Sequence, residues 1–140
     1  MALTVKICGL STPETLDAAL DAGADMVGFV FFEPSPRHVP LLRMFELVNH
    51  VRERSGTAEV AVLTVDADDA TVTKIAELIE PDWIQLHGHE TPEAVRAIRR
   101  VHGLRIMKAL PVAAHGDLAA LGAYAGVADR ILFDARPPRD

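Results

Sequence analysis

The chain has 140 residues, of which 49% are hydrophobic and 24% are charged, as is typical of a globular domain large enough to bury its own core. Its formal net charge of −6 argues against a general role on nucleic acid or on a membrane surface, although it leaves room for a local basic site that binds an anion. The single cysteine excludes an intrachain disulfide framework and suggests a reducing compartment, so we expect a cytoplasmic protein without a signal peptide or a membrane-spanning helix.

Apolar runs of strand length alternate with longer amphipathic segments along the whole chain. Strands are predicted over residues 3–7, 26–31, 59–65, 83–87, 105–110 and 130–135, and helices between them over residues 12–24, 40–54, 68–80, 91–103 and 116–126. Thr12 and Thr91 each precede a proline, which is the pattern of a helix N-cap followed by proline at the first helical position. Gly23 and Gly103 mark the ends of the same two helices.

The regular alternation of strands and helices predicts an α/β fold with a parallel sheet and helical crossovers. The strands are near-continuous apolar runs, as expected when both faces of a sheet are covered. Two architectures fit this order, an open doubly wound sheet and a (β/α)8 barrel. The sequence CGLSTP, and not a GxGxxG motif, follows the first strand, which weakens the dinucleotide-binding version of the open sheet.

Polar residues collect directly after the predicted strands. In parallel α/β folds the carboxyl ends of the strands carry the functional site, so these residues are the candidates. In chain order they are Cys8 and Gly9; Ser35, Pro36 and Arg37; Asp66; His87, Gly88, His89 and Glu90; Lys108; Asp134 and Arg136. A thiol, an arginine, a histidine and a carboxylate are therefore predicted to converge at one end of the sheet.

Each candidate also has a simpler structural explanation. Cys8 could be a small buried apolar side chain, and Arg37 could be a solvated surface charge. His87 could be a structural histidine, and Asp134 could cap a turn. His87 and His89 form an H-x-H pair that could suggest a metal site, but the glycine between them implies a turn and no further ligand spacing follows, so no metal site is predicted.

Five segments together carry a specific resemblance to a known family. KICGL, DAGADMVGFVFFEPSPRHV, IQLHGHETPE, MKAL and ILFDA occur in an order and spacing that resemble phosphoribosylanthranilate isomerase, over residues 6–135. The resemblance implies a (β/α)8 TIM barrel. It also implies an Amadori rearrangement in tryptophan biosynthesis, from N-(5-phosphoribosyl)anthranilate to 1-(2-carboxyphenylamino)-1-deoxyribulose 5-phosphate, with no cofactor and no metal. The implied partner is thus a small phosphorylated substrate, with neither nucleic acid nor membrane involved.

The same resemblance implies a role for each of four residues. Cys8 matches the general base that removes the sugar C2′ proton, and Asp134 matches the general acid that protonates the ribose ring oxygen. Arg37 matches the residue that holds the anthranilate carboxylate, and His87 lies in a family motif that lines the site. In a complete barrel, Cys8 and Asp134 would face each other across the mouth.

The chemistry adds two expectations about the surroundings of these groups. A cationic neighbour such as Lys6 or Lys108 would favour the thiolate form of Cys8. Asp134 has to hold a proton near neutral pH in order to act as an acid, so we expect its side chain to be buried.

The chain departs from the family in its length. A complete barrel takes about 250 residues, and small ones about 200. We therefore expect one partial barrel domain over residues 1–140, C-terminally truncated, with about six strands and without the last two βα units. The glycine-rich loops that bind the substrate phosphate in the family would be missing. The chain alone should then have little or no activity, and its exposed barrel edges could drive homo-oligomer formation.

Two other functions stay open at this point. The chain could belong to a related isomerase of another phosphoribosyl aminoaldose, although an acid–base pair of two carboxylates would be expected there, and the cysteine favours the anthranilate substrate. The chain could also be an inactive barrel fragment or an interaction module, which would show no turnover even when a C-terminal piece is supplied.

Overall fold

The structure is a computed structural model that describes residues 2–136, so residue 1 and residues 137–140 of the predicted domain lie outside the described residues. The strands are β1 (Lys6–Ile7), β2 (Met26–Phe31), β3 (Glu59–Thr64), β4 (Trp83–Leu86), β5 (Arg105–Val112) and β6 (Arg130–Ala135). The helices are α1 (Pro13–Asp21), α2 (Leu41–Arg54), α3 (Asp69–Ile79), α4 (Pro92–His102), a 3-10 helix (His115–Ala120) and α5 (Leu121–Tyr124). The predicted alternation of strands and helices is confirmed.

The strands form one parallel sheet in which each strand pairs only with its neighbours along the chain, in the order β1-β2-β3-β4-β5-β6. A doubly wound sheet would reverse its strand order at a switch point, and this sheet does not. Repeated βα units that add each strand to the same side build the wall of a barrel. The described residues therefore form part of a (β/α)8 barrel, and the open doubly wound alternative is wrong.

The two helices with a predicted Thr-Pro start begin where the sequence places them. The Thr12 side chain accepts a hydrogen bond from the Thr15 backbone N–H at 3.2 Å. The Thr91 side chain likewise accepts one from the Ala94 backbone N–H at 3.2 Å. Gly103 ends α4 with a φ of 63°, a conformation that costs glycine little because it has no Cβ.

The fifth predicted helix is wrong in its extent. Residues 115–124 form a 3-10 helix followed by a single α-helical turn, and neither piece contains a buried residue. Five of these ten residues are glycine or alanine, which offer little side chain to pack against the sheet, and packing provides most of the stability of a helix in a protein. The Asp117 carboxylate instead accepts hydrogen bonds from the Ala113 and Ala114 backbones and fixes the start of the turn.

Alternate residues of the strands face the helices and the concave interior. The helix-facing set joins α1, α2 and α3 in one apolar core and α3 and α4 in a second. The interior-facing set includes Met26, Ala61, Trp83 and Met107, which pack together with Leu132. This alternation decides which side chains of each strand reach the interior at its carboxyl end.

The first and last described strands are the edges of the sheet. Ile7 on β1 is 39% exposed and Phe133 on β6 is 52% exposed, and β1 and β6 each have one neighbouring strand among the described residues. Association of copies through these edges stays a prediction. No helix within residues 2–136 combines the length and the apolar character needed to cross a membrane.

Candidate active site

A cavity of about 560 Å³ opens at the carboxyl ends of the strands. All four site residues predicted from the sequence, Cys8, Arg37, His87 and Asp134, line it. The remaining lining residues are Lys6, Val30, Phe32, Ser35, Leu63, Val65, Gln85 and Leu132. Chain segments far apart in sequence thus bring a thiol, a guanidinium, an imidazole and a carboxylate into one concave surface.

A second cavity of about 470 Å³ lies at the opposite, amino-terminal ends of the strands. Its charged side chains are engaged in structural contacts: Arg54 binds Asp21 at 2.7 Å, and the Asp25 carboxylate accepts the Val5 backbone N–H at 2.7 Å. Function in parallel α/β barrels sits at the carboxyl ends of the strands. We therefore assign the candidate active site to the first cavity.

The Cys8 thiol occupies a space that a glycine provides. A Cβ atom on Gly28 of β2 would lie 2.9 Å from Cys8 Sγ and 3.0 Å from Lys6 Cε, closer than such atoms pack. The Gly28 carbonyl also accepts hydrogen bonds from Gly9 and Leu10, at 3.0 and 3.2 Å, and so fixes the turn after the thiol. Gly28 therefore allows Cys8 and Lys6 to lie side by side in the interior.

Arg37 lies over the turn that follows Cys8. Gly9 has a φ of 78°, and a Cβ there would come within 2.7 Å of Arg37 Cδ, so the glycine makes room for the arginine stem. The Arg37 backbone N–H donates to Ser35 Oγ at 3.1 Å. Among residues 2–136 no carboxylate forms an ion pair with this guanidinium, and the apolar Phe32 and Leu63 line the same cavity. The arrangement suits a planar ligand that carries a carboxylate.

Four polar side chains form a continuous line of hydrogen bonds across the interior, from β1 through β4 to β6. Lys6 Nζ donates to Gln85 Oε1. Gln85 Nε2 lies 3.1 Å from His87 Nδ1, and His87 Nε2 lies 3.0 Å from Asp134 Oδ2. His87 is thus in direct contact with the carboxylate that the resemblance assigns as the acid.

Gln85 is a further polar residue of the site, and it was not among the residues predicted from the sequence. The residue is 1% exposed, although glutamine is seldom fully buried. The signal was present, because Gln85 is the one polar residue of β4 and lies two positions before His87, which puts both side chains on the same face of the strand.

Two expectations about the surroundings of the site are wrong. Asp134 is not buried: its side chain is 52% exposed, because β6 has a strand neighbour on one side only among the described residues. Lys108 is not a neighbour of Cys8. It pairs in register with Leu86, whose side chain packs against the helices, so the Lys108 side chain leaves β5 on the face away from the cavity. Of the two lysines considered, only Lys6 lines the cavity.

Lys108 instead forms a buried ion pair with Glu90. Lys108 Nζ lies 2.9 Å from Glu90 Oε1, and the two side chains are 2% and 6% exposed. The Glu90 carboxylate also accepts the backbone N–H groups of Gly88 and Asp66, each at 2.9 Å, and Tyr124 donates to the Glu90 carbonyl at 2.7 Å. This network, Lys108–Glu90 and its backbone partners, holds together the loops after β3 and β4, and the second of these loops begins at His87.

A second contact joins the same two loops at the surface. Asp66 Oδ1 accepts the His89 backbone N–H at 2.6 Å, and Asp66 Oδ2 lies 2.9 Å from His89 Nδ1. The hydrogen bond from the His89 ring lowers the pKa of Asp66 below its ordinary value of 3.8. His89 thus faces Asp66 while His87 faces Asp134, and residues 2–136 contain no cluster of three His, Cys, Asp or Glu side chains arranged to hold a metal ion.

The lowered pKa of Asp66 predicts how stability changes in acid. A carboxylate whose pKa is lower in the folded than in the unfolded chain stabilises the folded state at every pH above its pKa in the unfolded chain. This contribution to stability is lost as the pH falls through its pKa in the folded chain. We expect Asp66→Asn to lose stability near neutral pH and to show a shallower decline between about pH 5 and pH 2 than the parent chain. Urea unfolding over a pH series measures both effects, with Glu53→Gln on the exposed side of α2 as the charge-matched control. If the free energy of unfolding declined equally steeply with pH for Asp66→Asn and the parent chain, this prediction would be contradicted.

Comparison with known proteins gives one consistent result. The family model described as N-(5'phosphoribosyl)anthranilate (PRA) isomerase matches residues 5–138. The chain is 59% identical to N-(5'-phosphoribosyl)anthranilate isomerase of Afipia carboxidovorans over 140 residues, which is all of this chain and 58% of that relative. The crystal structure of phosphoribosyl anthranilate isomerase from Thermotoga maritima superimposes with a TM-score of 0.88 and 26% identity, over 99% of this chain and 64% of that one.

A further crystal structure bears on the ligand of such folds. It is a phosphoribosyl anthranilate isomerase in complex with reduced 1-(o-carboxyphenylamino)-1-deoxyribulose 5-phosphate, with a TM-score of 0.86 and 26% identity, matched over 96% of this chain and 66% of that one. The chain thus spans about three fifths of the length of the curated relatives it matches.

Proposed function

Because the chain belongs to the N-(5'-phosphoribosyl)anthranilate isomerase family, we propose that it supplies the acid–base part of an isomerase active site. The reaction is the Amadori rearrangement of N-(5-phosphoribosyl)anthranilate in tryptophan biosynthesis. The observation that supports this proposal most directly is the shared cavity of about 560 Å³, which Cys8, Arg37, His87 and Asp134 line together.

The proposed chemistry consists of proton transfers. Asp134 gives its proton to the ribose ring oxygen, the ring opens, and a positively charged iminium forms. The Cys8 thiolate then takes the C2′ proton, which leaves a neutral enolamine that tautomerises to the ketone. The Lys6 side chain lies beside Cys8 above Gly28 and brings a cationic group next to the proposed base.

Arg37 and the apolar lining would recognise the anthranilate part of the substrate. The guanidinium can bind a carboxylate through two parallel hydrogen bonds, and Phe32, Leu63 and Val65 offer an apolar surface for the aromatic ring. An isomerase of another aminoaldose that relies on two carboxylates would need an acid in place of Cys8. The thiol therefore supports the anthranilate substrate.

We propose that the substrate phosphate binds outside residues 1–140, in loops of the last two βα units of a complete barrel. Glycine-rich loops and helix N-termini in that part of a barrel commonly hold phosphate. A cytoplasmic location fits the free thiol of Cys8, since that compartment keeps thiols reduced.

Turnover of N-(5-phosphoribosyl)anthranilate by two chains tests the proposal. One is the chain of 140 residues, and the other is the same chain extended by the C-terminal segment of the Afipia carboxidovorans relative, termed the extended chain. We expect turnover by the extended chain and little or none by the shorter one, since binding energy from the phosphate is lost.

Either of two results would contradict this account. A folded extended chain without turnover would argue against the isomerase and favour the interaction-module alternative. Full turnover by the 140-residue chain would instead show that the phosphate needs no further segment.

A further inference from the structure

In the line of hydrogen bonds from Lys6 to Asp134, the chemistry of the Lys6 ammonium fixes which end of the Gln85 amide faces it. A lysine ammonium has three N–H donors and no acceptor, so the end of the amide that faces Lys6 has to be the oxygen. The NH2 end then faces His87, and because it can only donate, His87 Nδ1 has to accept.

A neutral imidazole carries its proton on one nitrogen only. With Nδ1 accepting from Gln85, the proton lies on Nε2 and is donated to Asp134 Oδ2 across 3.0 Å. The opposite tautomer would bring an N–H of His87 against the NH2 of Gln85. Rotating the amide would remove that clash but would bring the NH2 against the Lys6 ammonium.

We propose that Lys6 and Gln85 are positioning residues that hold His87 in its Nε2–H tautomer and thereby direct the transferable proton of Asp134 to Oδ1. Oδ2 already accepts the His87 N–H, so a proton on Oδ2 would oppose it, and Oδ1 is the oxygen that can carry one. After Oδ1–H gives its proton to the substrate, the remaining carboxylate keeps the His87 hydrogen bond, which stabilises its negative charge.

The catalytic part of this inference rests on the proposed function, whereas the tautomer of His87 does not. Gln85 is 1% exposed and the His87 side chain 28% exposed, so water competes little for the Gln85 amide. A merely structural Gln85 would fill space between β4 and its neighbours and would leave the His87 tautomer free. The two cases therefore differ in which ring nitrogen of His87 carries the proton, and NMR can measure this.

15N NMR of the 140-residue chain labelled with 15N-histidine shows which ring nitrogen of His87 is protonated. Protonated and unprotonated ring nitrogens have well-separated chemical shifts. The His87 signals are identified by their loss in His87→Asn. At mildly alkaline pH, where histidine is normally neutral, we expect the parent chain to show Nδ1 unprotonated and Nε2 protonated.

Two variants change the constraint in different ways. In Gln85→Glu the new carboxylate can accept hydrogen bonds from both Lys6 and His87. We therefore expect the chemical shift of His87 Nδ1 to move to the value of a protonated ring nitrogen. In Lys6→Met the amide can rotate, so we expect a mixture of tautomers. Lys74→Met on the exposed face of α3 is the matched control and should keep the parent pattern.

Kinetics of the extended chain give the second readout. We expect kcat to fall about 10- to 100-fold in Gln85→Glu with KM little changed, since a histidine in the wrong tautomer impairs acid–base catalysis while leaving substrate contacts in place. Gln85→Glu carries this test because Lys6 also lies beside Cys8.

A parent chain with Nδ1 protonated would overturn the inference, as would a His87 signal unchanged in both Lys6→Met and Gln85→Glu. The expected tautomer shifts in a chain whose extended form shows no isomerase turnover would support the positioning of His87 and contradict the proposed function alone.

Discussion

Replacement of Cys8 by alanine in the extended chain is expected to lower kcat by about 10²- to 10⁴-fold, the usual contribution of a general base. The thiol lies at the carboxyl end of β1, half-buried in the cavity that Asp134 also lines. No other described lining residue on β1 or β2 has a side chain that could accept the C2′ proton in its place, because Lys6 is held as a donor to Gln85. The measurement is steady-state turnover of N-(5-phosphoribosyl)anthranilate.

Two further variants separate lost chemistry from lost packing. Cys8→Ser keeps the size of the side chain but replaces the thiol by a hydroxyl that ionises far less readily, so we expect it to be as slow as Cys8→Ala. Val65→Ala removes a lining side chain of the same cavity without removing an ionisable group, and its kcat should stay within about tenfold of the parent value. Near-parental turnover by Cys8→Ala would mean that Cys8 is the small buried apolar residue of the simpler explanation.

Replacement of Lys108 by methionine is expected to lower the free energy of unfolding by about 3–5 kcal/mol, the usual cost of removing one partner of a buried ion pair. Methionine fills much of the space of the lysine stem, so the loss comes mainly from the Glu90 carboxylate, which would stay buried without its cation. Urea unfolding of the parent and variant chains measures the difference.

The double variant Lys108→Met/Glu90→Gln should recover part of that loss, because the uncompensated charge is gone. Lys74→Met, the same change at an exposed position of α3, should alter stability by about 0.5 kcal/mol or less. A loss below about 1 kcal/mol for Lys108→Met would show that the ion pair does not hold the two loops together.

The order of elements could be read from the sequence because local signals were strong. β2 and β6 have the predicted bounds, and the Thr-Pro starts of α1 and α4 are confirmed by their capping hydrogen bonds. Apolar runs with clear turn residues between them leave little ambiguity about a strand. The segment after β5 lacked such a signal, since alanine favours a helix but provides little side chain to pack.

The side that a residue faces was harder to predict than the element that contains it. The sequence placed Lys108 and Cys8 near strand ends, but Lys108 lies in the middle of β5, and only the pairing of β4 with β5 decides that it points away from the cavity. A strand that is apolar on both faces has no alternation from which to read this. The burial expected for Asp134 depended on strand neighbours, which no property of the residue itself reveals.

The pairing of each described strand with its chain neighbours also permits assembly in chain order. A chain that emerges from the ribosome can add one βα unit after another to a growing sheet, since within residues 2–136 each strand pairs only with its neighbours along the chain. The thiol enters with the first strand, the Lys6–Gln85 contact forms with the fourth, and the Asp134 carboxylate docks with the sixth. A nascent chain would therefore contain Cys8, the proposed base, long before Asp134, the proposed acid, joins it at the same cavity.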